Sequence, residues 1–140
     1  MDANVKSQFF LCRAAAEPMK VAGWGRIINF TSQAAHTGGF YGTSVYAVSK
    51  GGVVSLTRNF ARILGPDNIT VNVIAPALAN TRIVTDSMTE DGIADVLSAK
   101  PLGRMAEAKE IAMAVAFLAS DSAATITGHT LDINGGLLMR

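Results

Sequence analysis

Cysteine is nearly missing from this 140-residue sequence. Cys12 stands alone, so no disulfide can close within the chain and no cysteine cluster can hold zinc or iron–sulfur. Charge is also scarce: Asp, Glu, Lys and Arg make up 16%, with 12 basic residues against 11 acidic and a formal net charge of +1. Without a basic run or stripe, nucleic acid is not an expected partner. The two histidines, His36 and His129, have no second ligand at a metal-binding interval, so no metal is expected and both read as surface or pocket-rim residues. Long apolar runs are missing too. The longest, Ile111–Ala119, is far too short to span a bilayer, and MDANVKSQ at the start lacks the basic region and apolar core of a secretory leader. These absences predict a cytoplasmic chain that meets neither membrane nor nucleic acid, with Cys12 a buried, reduced, small hydrophobe.

What is present is enough apolar material for a core: 49% of residues are hydrophobic, which suits one domain of ordinary size without repeats or linkers. Three short strand-like runs, RIINFTS (26–32), ITVNVIA (69–75) and HTLDI (129–133), alternate with longer helix-like segments. That rhythm predicts a parallel sheet covered by helices. Val45, Val48, Gly52, Leu56, Phe60 and Ile63 recur at three- and four-residue intervals, marking a long helix with Gly65 and Pro66 as its stop. A second helix is expected to start near Glu107, where Glu107 and Glu110 meet the positive end of the helix dipole. The first twenty residues read as a helix ending near EPM (17–19). From Asn80 to Leu102 the pattern is least regular, broken by TEDG (89–92), and reads as a mobile lid. Met113 and Trp24 read as packing residues.

Within the long helix, SVYAVSKGG places Tyr46 and Lys50 four apart, so both project from neighbouring turns of one face. A free phenol titrates near 10 and is a poor proton donor at neutral pH, but an ammonium one turn away stabilises the phenolate electrostatically. The pair is therefore a candidate acid/base device. Gly51 and Gly52 behind it each cost a helix about 1 kcal/mol against alanine, which calls for a compensating reason such as close approach of another backbone. Upstream, NFTS places Ser32 at the C-terminal edge of a strand, where open α/β sheets bind ligands.

Taken together, GRIINFTS, YAVSKGGV, TVNVIAPALANT, PLGR and FLASDSAATITGHTLDINGG resemble the short-chain dehydrogenase/reductase family over essentially the whole chain. The resemblance implies an α/β fold: three strands of the C-terminal half of a doubly wound, Rossmann-type parallel sheet with flanking helices. It assigns residues 1–140 to the catalytic part of a single domain. By that resemblance, Tyr46 is the general acid/base towards a substrate carbonyl or hydroxyl, and Lys50 assists it and holds the nicotinamide ribose. Ser32 orients the same substrate oxygen, and Asn4 holds a water in a proton relay. Pro76, Ala77, Ala79 and Thr81 belong to the segment that grips the nicotinamide carboxamide. The implied cofactor is NAD or NADP, the implied substrate a small alcohol or carbonyl compound, and the implied assembly a homodimer or homotetramer through the tyrosine helix and the one before it. Phe40, Tyr41, Val84 and Met88 would line a partly apolar substrate pocket.

Three departures accompany the resemblance. Thirteen residues separate Ser32 from Tyr46 where twelve are common, so the intervening loop should bulge. Ala77 follows Pro76 where glycine is usual, which would shift the backbone if that position required a positive φ. The glycine-rich strand-to-helix turn that holds a dinucleotide pyrophosphate does not occur in the sequence. The expectation is therefore an oxidoreductase interconverting a secondary alcohol and a carbonyl by hydride transfer. Its alternative is an inert, truncated fragment or assembly partner lacking the dinucleotide-binding half.

Overall fold

The structure, a computed structural model, describes residues 1–40 and 42–140. A π-helical turn, Asp2–Lys6, leads into α1 (Ser7–Ala22), followed by β1 (Gly25–Phe30), the short α2 (Ala34–Thr37) and the long α3 (Ser44–Leu64). Then come β2 (Ile69–Pro76), α4 (Arg82–Ser87), α5 (Glu90–Ser98), α6 (Ala108–Ala119) and β3 (Thr130–Ile133). The strands form one parallel sheet in the order β1-β2-β3, as the alternation of strand-like and helix-like runs predicts.

β2 is the central strand and carries few polar side chains because helices cover both its faces. On one face, Ile27, Ile69 and Val71 pack with Cys12 and Ala16 of α1 and Phe60, Ala61 and Leu64 of α3, while Val73 meets Val53 and Val54 of α3. On the other, Ile74 packs with Leu118 of α6 and Ala123. Cys12 is buried as expected; its thiol donates to Asn29 Oδ1 at 3.5 Å, and burial pushes it up from the ordinary range. Buried Asn72 donates to the Ile126 carbonyl and accepts from the His129 amide, fixing the entry of β3.

Several expectations are corrected. α1 runs through Pro18 and stops only at Gly23, whose φ of 64° lets its amide close onto Lys20 and Met19 carbonyls. Met19 packs against the core just past the proline, which offsets the lost backbone bond. α3 does stop at Gly65 as expected; that glycine is right-handed and begins a 3-10 turn, and Asn68, at φ 59°, makes the reversal. TEDG starts α5 instead of breaking the chain, with the Thr89 hydroxyl accepting from the Gly92 amide at 3.2 Å. Residues 80–102 thus hold two helices where an irregular lid was expected.

The apolar stripe read for α3 mixes two faces: Phe60 is buried and Leu56 packs against the core, but three of its members face outward. Val45 and Val48 are 70% and 64% exposed, and Ile63 is exposed too. The sheet instead receives Ala47, Val53, Val54, Thr57, Phe60, Ala61 and Leu64. Trp24 and Met113, expected to pack inside, are also exposed; Trp24 lies against the Arg26 guanidinium at 4.8 Å.

Candidate active site

Because β1 and β2 are parallel, their C-terminal ends meet at one edge of the sheet. Past β1 the ladder continues for two rungs, from the Thr31 amide to the Ile74 carbonyl (2.9 Å) and from the Gln33 amide to the Pro76 carbonyl (3.1 Å). This pins Ser32 beside the β2 exit. Both Ser32 and Tyr46 line a cleft of about 480 Å³ with Phe40, Ala77, Leu78, Ile83, Val84 and Met88. Tyr41, also expected at this pocket, lies outside the described residues.

Neighbouring hydroxyls at 31 and 32 have different roles. Thr31 is buried and donates to the Lys50 carbonyl of α3 at 2.7 Å, locking strand exit to helix. Among the described residues Ser32 Oγ accepts the Ala34 amide, at 3.2 Å, and donates to none, which leaves its own proton available to the cleft. Tyr46 enters from the first turn of α3 and is 43% exposed. One turn later the Lys50 ammonium stands 5.7 Å from the Tyr46 ring centroid and donates to the Phe30 carbonyl at 3.2 Å. Partial burial pushes that ammonium down from its ordinary value.

The glycines behind Lys50 are not equivalent. A methyl built at Gly52 would stand 3.1 Å from Val5 Cγ2, so this glycine admits the π-helical turn against α3; at Gly51 it would meet only the Ala35 carbonyl oxygen, at 3.8 Å. Asn4, in that π-helical turn, donates to Ser49 Oγ at 2.9 Å. It is not the helix cap, a position that Met1 occupies.

The segment after β2 is held from three sides. Ala77 donates to the Ile133 carbonyl at 3.2 Å, Asn80 to Ala106 at 2.9 Å, and Ala79 bridges in parallel to Ala106. Ala77 takes no positive φ, so alanine there strains nothing. Thr81 caps the N-terminus of α4 with extended backbone and points its hydroxyl to the Ala79 carbonyl at 3.5 Å. The loop between Ser32 and Tyr46 contains α2 and the left-handed Gly38, Gly39 and Gly42.

Sequence reasoning missed Lys100. Its side chain is buried, and its ammonium donates to the Leu78 and Arg104 carbonyls at 3.3 Å each, clamping the segment after β2. Burial first, and Arg104 second, push it below its ordinary value. A lysine preceding a proline gives no sequence signal of such burial. Among the described residues no cluster of His, Cys, Asp and Glu could hold a metal ion, and no helix is long and apolar enough to cross a membrane.

The three parallel strands and their flanking helices form part of a Rossmann-type sheet, with Ser32, Tyr46 and Lys50 gathered at its C-terminal edge. The chain belongs to the short-chain dehydrogenase/reductase family: the family model described as enoyl-(acyl carrier protein) reductase matches residues 1–138. Over 139 residues it is 43% identical to the 3-oxoacyl-(acyl-carrier-protein) reductase FabG of Haemophilus influenzae and 42% identical to that of Escherichia coli K12. It is 37% identical to Nodulation protein G of a Rhizobium species. Each match covers 99% of this chain and 56–57% of the relative, so the chain spans about half the length of the curated relatives it matches. The crystal structure of the 3-oxoacyl-(acyl-carrier protein) reductase from Brucella melitensis superposes with a TM-score of 0.89 at 30% identity, covering 98% of this chain and 51% of that one.

Proposed function

We propose that these residues form the catalytic part of a single Rossmann-type domain in an NAD(P)-dependent oxidoreductase that interconverts a secondary alcohol and a carbonyl. The observation that carries this reading is Ser32 and Tyr46 lining one cleft at the strand exits, with the Lys50 ammonium 5.7 Å from the Tyr46 ring centroid. The names of the relatives point to 3-oxoacyl thioesters as the substrate, and the apolar lining by Phe40, Ile83, Val84 and Met88 suits an acyl chain.

The residues present fit the nicotinamide end of a dinucleotide. An ammonium has three donors, and Lys50 uses one, on Phe30; the other two have no acceptor among the described residues and suit a ribose diol. Pro76, Ala77, Ala79 and Thr81 would hold the carboxamide. The bound cofactor supplies or accepts the hydride. Tyr46 transfers the proton at the substrate oxygen, Ser32 donates to that same oxygen as charge develops on it, and Lys50 stabilises the phenolate. Asn4, tied to Ser49 next to Lys50, would order a water on the path that returns the proton.

A second reading, an assembly partner that binds no dinucleotide itself, draws on one observation: no glycine-rich strand-to-helix turn occurs in the sequence. The test is NADPH titration followed by nicotinamide fluorescence, with turnover of acetoacetyl coenzyme A by the protein at its native length. Binding with turnover supports the oxidoreductase, and neither supports the second reading.

A further inference from the structure

The cleft has more polar groups than proton transfer uses. Thr37, Thr43 and Ser87 line it, but their hydroxyls are committed to the carbonyls of Gln33, Phe40 and Ile83. Ser32 and Tyr46 are the reacting pair. That leaves Gln33, which is 7% exposed and lines the same cleft.

Its backbone is fully engaged. The amide donates to the Pro76 carbonyl at 3.1 Å, and its carbonyl accepts from the amides of His36 (2.9 Å) and Thr37 (3.1 Å). Its side chain is not: Oε1 is buried with no partner, and neither end of the amide bonds any described residue. Buried polar side chains in folded proteins almost always find a partner, and leaving one unmet is costly. Here the chain holds an unmet amide, by a rigid backbone, one residue from Ser32 and in the wall of a mostly apolar cleft. This is how a ligand pocket fixes orientation: few polar groups, firmly placed, in an apolar wall.

We propose that Gln33 is a specificity-determining residue that hydrogen-bonds a second oxygen of the substrate, one carried within two carbons of the reacting carbonyl. This inference rests on the oxidoreductase reading of the site. With Oε1 buried, the amide meets a neighbouring carbonyl or hydroxyl oxygen by donating from Nε2. A ketone lacking that oxygen leaves the amide unmet, which is the situation in which polar pockets discriminate most strongly.

The test compares acetoacetyl coenzyme A (second carbonyl), hydroxyacetone (hydroxyl) and butanone (neither) in the wild type and in Gln33→Met, which keeps length and volume. The substitution is expected to lower kcat/KM at least about tenfold for one or both oxygenated ketones, the effect of one lost hydrogen bond, and to leave butanone within about threefold. The responding arm identifies the group. A fall of equal size on all three substrates, or on none, overturns the proposal.

If the wild type turns over no ketone, the oxidoreductase reading fails by itself, and Gln33 is judged by binding. Its side-chain amide resonance, assigned by its loss in Gln33→Met, is then followed during titration with acetoacetyl coenzyme A, hydroxyacetone and butanone. A shift with an oxygenated ketone and none with butanone sustains the recognition role, and no shift with any of them overturns it.

Discussion

Thr31 and Ser32 carry the same functional group one residue apart, and only the folded chain separates their roles. Thr31 ties the strand exit to the Lys50 carbonyl, so Thr31→Val should cost about 1 kcal/mol of stability, seen as a lower melting temperature. Ser32→Ala should leave melting nearly unchanged and slow turnover, because its proton faces the cleft; steady-state kinetics beside a thermal melt separates the two. At this scale Tyr46, Lys50 and Ser32 were legible in the sequence, since their spacing and their place after a strand follow from local rules. Gln33 and Lys100 were not. Their importance lies in burial, supplied by Pro76, Leu78 and Arg104, residues more than forty positions from Gln33 and, for Leu78, twenty-two from Lys100.

The helices show where periodicity misleads. α3 has two apolar faces, and the regular series crossed both, with Val45, Val48 and Ile63 outside and Leu56 and Phe60 inside, where the inner face is interrupted by the buried Ser49 and Thr57. Thr57 is tolerated there since it donates to the Val53 carbonyl and accepts from Asn29. The strands were read more accurately: the central one is buried on both faces and therefore almost continuously apolar. The two helix glycines differ in what surrounds them. Gly51→Ala meets only ordinary contact and should stabilise by up to about 1 kcal/mol, whereas Gly52→Ala presses on Val5 and should yield no gain; paired thermal melts check this. At the start of α6, Glu110 accepts from the Glu107 amide and pairs with Arg104 at 2.6 Å. These bonds, Arg104 first, hold its carboxyl at about 2 against an ordinary 4.5. Since the folded value is the lower one, the stabilisation is complete above about 4.5 and is lost as pH falls towards 2. Glu110→Gln should therefore flatten the melting temperature's dependence on pH within that window.

Apolar surface is left uncovered on the outer face of α3 and at the free edge of β1, which has no strand partner among the described residues. If the tyrosine helix mediates assembly as the resemblance implies, Val45, Val48 and Ile63 would form the contact, because Val53 and Phe60 are buried. Assembly through this face predicts a dimer or tetramer in light scattering for the wild type and a smaller species for Val48→Glu, while a monomeric wild type would exclude it. The layered architecture was legible in the sequence because parallel strands and covering helices each leave a distinct pattern; the assembly surface was not, because an apolar residue looks the same whether it meets the sheet or a second copy. The central claim is that Tyr46 moves the proton. Its most direct test is kcat for acetoacetyl coenzyme A reduction by the wild type and by Tyr46→Phe, both at native length and with matched melting temperatures. The account predicts a fall of at least about 10²-fold, as expected for loss of a general acid/base. Retention of more than about a tenth of the wild-type rate would contradict it.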